Sequence, residues 1–113
     1  MRTYISQPFD SNNFEQAYNL AEGYKSMMST QDEQWVSAFD VVPCVDAPLP
    51  YTVSRRIEAL LQCDTVYMLK GWNTDKICIL EREAAVRFGK TIKYEEPHEN
   101  LSKILRVTQC TSL

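Results

Sequence analysis

The apolar positions of this chain follow two rhythms in turn, a short alternating one and a helical one. Thr3-Tyr4-Ile5-Ser6 is short, β-prone and alternating, which predicts a first strand. Phe14, Ala17, Tyr18, Ala21 and Met28 recur at helical spacing and predict a helix over 13–29, with Gly23 inside it. Ser11, Asn12 and Asn13 offer caps, and Asn12 with Glu15 resembles a capping box. Trp35 to Val42 reads as a second strand closed by Pro43. Pro43, Pro48 and Pro50 make 43–51 a loop, because proline lacks an amide donor and restricts the residue before it. Val53, Ile57, Leu60 and Leu61 form the stripe of a second helix that ends near Cys63. Asp64 to Leu69 is the strongest strand, nearly continuous in apolar and β-branched residues, as in a strand buried on both faces. A polar loop follows from Lys70 to Asp75. A third helix over 76–88 closes at Gly89, a fourth strand spans Thr91 to Tyr94, and Pro97 opens a C-terminal helix with Leu101, Ile104 and Leu105.

Strand and helix therefore alternate throughout. Such alternation predicts one α/β domain over 1–113, with a mainly parallel sheet of four or five strands and helices on both faces. Ligands of such sheets bind beyond the carboxyl ends of the strands. That places candidate contacts at Gln7-Pro8-Phe9, in the loop after Val42, and at Gly71, Trp72, Asn73 and Asp75.

Composition narrows the function classes. The chain has 113 residues, 44% hydrophobic and 24% charged, which argues against a disordered chain. A net charge of -3 argues against binding a nucleic-acid polymer, which needs a basic surface. No apolar run reaches the roughly 18 residues of a membrane span, so no membrane partner is expected. The polar start at Met1 does not read as a signal peptide, and the expected compartment is the cytoplasm. Cys44, Cys63, Cys78 and Cys110 show no C-x-x-C spacing and His98 is the one histidine, so no metal site is expected and the cysteines read as free thiols.

One residue breaks the pattern. Ile77, Ala84, Ala85 and Phe88 share one side of the third helix, with Leu80 at its edge, and Glu81 falls in the middle of that stripe. Burial of an unpaired carboxylate is costly. Glu81 is then either a core carboxylate satisfied by hydrogen bonds or an arginine, or the floor of a cleft. Its place near the first turn lets the helix dipole favour the ionised form, which a nucleophile at an anomeric carbon needs. Asp75, in the loop before, is either a helix cap or a second carboxylate.

These residues carry a resemblance. Thr3-Tyr4-Ile5-Ser6-Gln7-Pro8-Phe9 resembles the first-strand motif of the nucleoside 2-deoxyribosyltransferase-like superfamily, and Ile57 through Leu69 resembles its central helix-to-strand segment. Gly71-Trp72, followed nine residues after the tryptophan by Glu81, is similar to a small bacterial and phage branch of it. The resemblance implies a flavodoxin-like (Rossmann-like) three-layer sandwich and cleavage of an N-glycosidic bond. It implies Glu81 as the nucleophile, Asp75 in base recognition or proton transfer, and Tyr4 as the residue that orients Glu81. The superfamily usually carries glycine where Ile77 stands, a small residue at Cys78 and an acidic residue at Arg56.

Arg55 and Arg56 are either a clamp for a substrate phosphate at the edge of the cleft or a solvated helix face with Glu58 nearby. Trp72 is placed to stack on a nucleobase or to close the core or a subunit contact. The expected activity is hydrolysis or deoxyribosyl transfer on a nucleoside or nucleotide, with no cofactor. The alternative is a nucleotide-binding or scaffold protein that kept the fold without the chemistry; a flavin binder fits less well, for want of a Ser/Thr-rich loop after the first strand. A homodimer or larger assembly is expected, through the Ile79/Val86 side of the third helix or around Trp72.

Overall fold

The computed structural model describes residues 1–9, 12–42 and 47–95. Four strands, β1 (Arg2–Ser6), β2 (Gln34–Ser37), β3 (Thr65–Met68) and β4 (Thr91–Tyr94), form one parallel sheet in the order β2-β1-β3-β4. The helices α1 (Phe14–Met28), α2 (Leu49–Leu61) and α3 (Lys76–Arg87) connect them. Tyr4 lies opposite Val36 and Val66, and Ile5 opposite Ser37 and Tyr67, so side chains in each row share a face. The Tyr4 row meets α2 and α3, with Leu60, Val66, Met68, Cys78 and Ala85 in its core. The Ile5 row meets α1, with Trp35, Leu69, Tyr24 and Tyr67. The result is the three-layer α/β sandwich that the alternation predicted.

Strands β1 and β3 are central, and Val66 and Met68 are fully buried. Coverage of both faces explains why Thr3 and Ser6 are buried beside Tyr4 and Ile5. The chain leaves β1 toward β2 on one side and reaches β3 on the other, so the strand order reverses between β1 and β3. In parallel sheets, ligands bind outside the carboxyl ends of the strands at such a reversal.

Four local expectations are corrected. The second strand does not run to Val42; it stops at Ser37, and a 3-10 turn spans Ala38–Asp40. Ser37 accepts a hydrogen bond from the Phe39 amide while Asp40 accepts one from the Ser37 amide, a capping box that ends the strand. The proline-rich stretch is not loop through Tyr51, because α2 begins at Leu49 with Pro50 in its first turn, where no intrahelical amide bond is lost. The expected Asn12/Glu15 capping box does not form; Asn13 holds the N-cap position without a side-chain capping bond. On α3 the buried residues are Cys78, Glu81 and Ala85, whereas Leu80 and Phe88 are exposed, Phe88 by 64%. Gly89 does end that helix, at φ +71°. Pro43, Cys44, His98, Cys110 and the expected C-terminal helix lie outside the described residues.

Candidate functional site

Glu81 sits one turn into α3 and is 0% exposed. Strand β1 presents Tyr4 and Ser6 to it, two residues apart and therefore on one face. The Tyr4 hydroxyl donates to Oε2 at 2.6 Å, and the Ser6 hydroxyl to Oε1 at 2.6 Å. Arg56 reaches the same carboxylate from the inner face of α2. Its Nε lies 2.9 Å from Oε2 and its Nη2 3.2 Å from Oε1, a two-pronged ion pair. The Arg56 Nε also donates to the Tyr4 oxygen at 3.3 Å, and its Nη2 to the Gln7 carbonyl at 3.3 Å. Each carboxylate oxygen of Glu81 thus accepts two hydrogen bonds, so the buried charge is solvated by protein alone.

Arg56 was expected at the edge of a cleft or on a solvated face, and neither holds. It is 2% exposed, with Phe9 against its guanidinium at 5.1 Å. It is Arg55 that lies outside and pairs with Glu58 at 2.8 Å. The sequence signal for the pair was available. Glu81 and Arg56 are opposite charges on the inward sides of two helices that pack on the same face of the sheet. Ser6 escaped notice because hydroxyls are common in strands, and only its two-residue offset from Tyr4 gives it away.

Burial raises the Tyr4 phenol well above its ordinary pKa, and the Glu81 charge adds to it. Tyr4 therefore stays a neutral donor. Burial pushes Arg56 down, but its contacts with Tyr4 and Glu81 outweigh that and hold it above its usual value. Cys78, three residues before Glu81 on α3, is pushed up to about 12, first by burial and then by Glu81. A thiol so perturbed stays protonated and inert.

The remaining candidates frame the quartet. Gln7 is buried; its side-chain amide donates to the Ala17 carbonyl at 3.1 Å, and its Oε1 has no hydrogen-bond partner. Phe9 packs on Phe39 at 4.6 Å. Gly71 holds φ +91°, and a Cβ there would stand 3.3 Å from Pro8 Cγ. The left-handed backbone favours glycine there, and the loops after β1 and β3 run close together at this point. Trp72 turns toward β4, 5.5 Å from Tyr94 with Arg82 over its ring at 5.4 Å. Asn73 is exposed on the 3-10 turn Trp72–Thr74. Asp75 accepts a hydrogen bond from the Cys78 amide at 2.9 Å and so caps α3. The structure brings Tyr4, Arg56 and Glu81 together with Gln7 and Phe9 beside them, packs Trp72 against the edge of the core that holds Tyr4, and sets Asp75 as the cap of α3.

A family model described as Domain of unknown function (DUF4406) matches residues 1–94. The chain belongs to this family. The matched DUF4406 segment contains the four strands and three helices of the described residues and every member of the buried quartet. No curated protein and no solved structure matches the chain. Among the described residues, no helix of this DUF4406 chain is long and apolar enough to cross a membrane.

Proposed function

We propose that this chain acts on the N-glycosidic bond of a nucleoside or nucleotide, with Glu81 as the nucleophile, as its likeness to the nucleoside 2-deoxyribosyltransferase-like superfamily implies. The observation that carries the reading is the 2.6 Å hydrogen bond from Tyr4, on the central strand β1, to the buried Glu81 carboxylate. A neutral phenol there donates to one carboxylate oxygen and fixes its position. In the reaction a Glu81 oxygen attacks C1′ and the C1′–N bond breaks. Its electron pair leaves with the base, which takes up a proton. Water or a second base then displaces the glutamate and completes hydrolysis or transfer. Attack requires Glu81 to part from Arg56 and the substrate to reach a carboxylate that is fully buried. Cytoplasmic placement belongs to the same reading.

A second reading rests on the ion pair. A carboxylate held by four hydrogen bonds, two of them from a guanidinium, is a poor nucleophile, and the arrangement also suits a nucleotide-binding or scaffold protein. One experiment separates the two. The parent chain is incubated with a panel of deoxynucleosides, ribonucleosides and their 5′-monophosphates, and free base is measured by chromatography. The catalytic reading expects base release, a glycosyl-enzyme adduct at Glu81 by mass spectrometry, and a loss on the order of 10,000-fold in Glu81→Gln. No base release from any substrate, with saturable binding of a nucleotide, supports the second reading.

A further inference from the structure

The outward side of α3 carries apolar residues with nothing packed over them among the described residues. Ile79 is 40% exposed and Val86 55%. At 100° per residue, Ile79, Arg82, Glu83 and Val86 fall within an arc of about 100°. Their spacing of i, i+3, i+4 and i+7 is that of a helix-packing stripe. Arg82 shows where the arc points. Its Nε donates to the Tyr94 hydroxyl at 2.8 Å and its guanidinium covers Trp72, so the stripe faces outward past β4. Strand β4 is itself an edge, and among the described residues only β3 pairs with it. An edge strand beside an exposed apolar stripe is a template for association.

We infer that this face docks a second copy of the chain, with α3 antiparallel to α3 across a twofold axis that passes between Arg82 and Glu83. Charge and shape then match by symmetry. Ile79 faces Val86 of the second copy, Arg82 faces its Glu83, and each pairing occurs twice. A parallel arrangement would set Arg82 against Arg82. The sheet agrees with the helices. α3 packs across β3 and β4, so its axis lies about half a strand spacing inside the edge. Adding β4 of the second copy at about 4.8 Å separates the two α3 axes by roughly two strand spacings, about 9.6 Å. Helices pack at about 8–10 Å, so strand pairing and helix packing close together. The interface uses no member of the buried quartet. It reaches the Trp72–Arg82–Tyr94 stack at the rim of the proposed site, and it stands whether or not the chain is an enzyme.

Light scattering of the full chain across micromolar concentrations tests the association, and site-directed cross-linking tests its geometry. The expected mass is twice the 13.1 kDa of one chain. Val86→Asp should return it to one chain with an unchanged circular dichroism spectrum. Oxidation of an equimolar mixture of Ile79→Cys and Val86→Cys, mapped by peptide mass spectrometry, should join position 79 of one copy to position 86 of the other. Neither variant alone should make that link. A monomeric parent chain, which would leave this face to a different protein, overturns the inference. So does a dimer that Val86→Asp leaves intact, or a 79-to-79 link as efficient as the mixed one.

Discussion

The two faces of the sheet solve the same burial problem in opposite ways. On the α1 face, Ile5 packs with Trp35 and Leu69, while Tyr24, Trp35 and Tyr67 meet ring to ring at 5.3 to 6.4 Å. Tyr24 also bonds Glu95 just past β4, where water remains close. On the α2/α3 face, Tyr4, Ser6, Arg56 and Glu81 put a complete ion pair into a core otherwise built of Leu60, Val66 and Met68. Apolar burial is non-directional and tolerates replacement by similar volumes. The quartet is directional, and each member matters because the others would be left buried and unsatisfied. A cost of that kind at the carboxyl end of a central strand is where a functional explanation is worth testing.

The largest break in the comparison should come from Glu81→Ala. It strands the Arg56 guanidinium, and loss of one partner from a buried pair costs about 3–5 kcal/mol. Chemical denaturation of the variant measures it. A double change of Arg56→Met with Glu81→Leu should recover most of that loss, since well-packed apolar replacements of buried pairs are often neutral or stabilising. Ile5→Ala on the other face should cost about 2–5 kcal/mol through the cavity it leaves, and no change at a charged position should rescue it. A Glu81→Ala variant as stable as the parent would mean that the guanidinium finds water on its own.

The sequence made the frame of this comparison legible and left its key contact half-hidden. The strand–helix alternation predicted the parallel sheet, the position of Glu81 in an apolar stripe predicted its burial, and the family resemblance paired it with Tyr4. Arg56 was harder to place, because a long cation on a helix usually snorkels to solvent and Glu58 lay within reach. Only three-dimensional placement shows that Arg55 takes that contact and Arg56 turns in. The shortened β2 had its own cue, the Ser37-x-x-Asp40 box, masked by apolar Ala38 and Phe39 that read equally well as strand.

A smaller effect appears in alkali. Cys78 and Tyr4, both on the α2/α3 face, have native pKa values raised above their unfolded ones, Cys78 from 9.0 to about 12. Above pH 9 the unfolded chain loses protons that the native chain keeps, so it binds fewer protons and stability falls as pH rises. Below pH 9 both states hold these protons and the contribution is constant. The expected slope is about 1.4 kcal/mol per pH unit for each such group between its two values. Denaturation at pH 8, 9, 10 and 11 checks it, and Cys78→Ala should flatten the first part of the decline. An unchanged slope in Cys78→Ala would assign the early loss to another group, the buried Cys63 thiol first.

The smallest expected change in stability is the most informative about chemistry. Asp75 caps α3 through the Cys78 amide, and its carboxylate stands before the helix that carries Glu81. Asp75→Ala removes the cap and should cost about 1 kcal/mol. Asparagine caps helices about as well as aspartate, so Asp75→Asn keeps the hydrogen bond and removes only the charge. Its stability should match the parent within about 0.5 kcal/mol. If Asp75 also passes a proton to the departing base, the same variant should lose base release by about 100-fold or more. If Asp75 serves α3 alone, Asp75→Asn should leave both stability and any base release intact. The pair of variants thus divides a helix cap from a proton donor at one position, because one atom of the carboxylate can do the first task and only its ionisation can do the second.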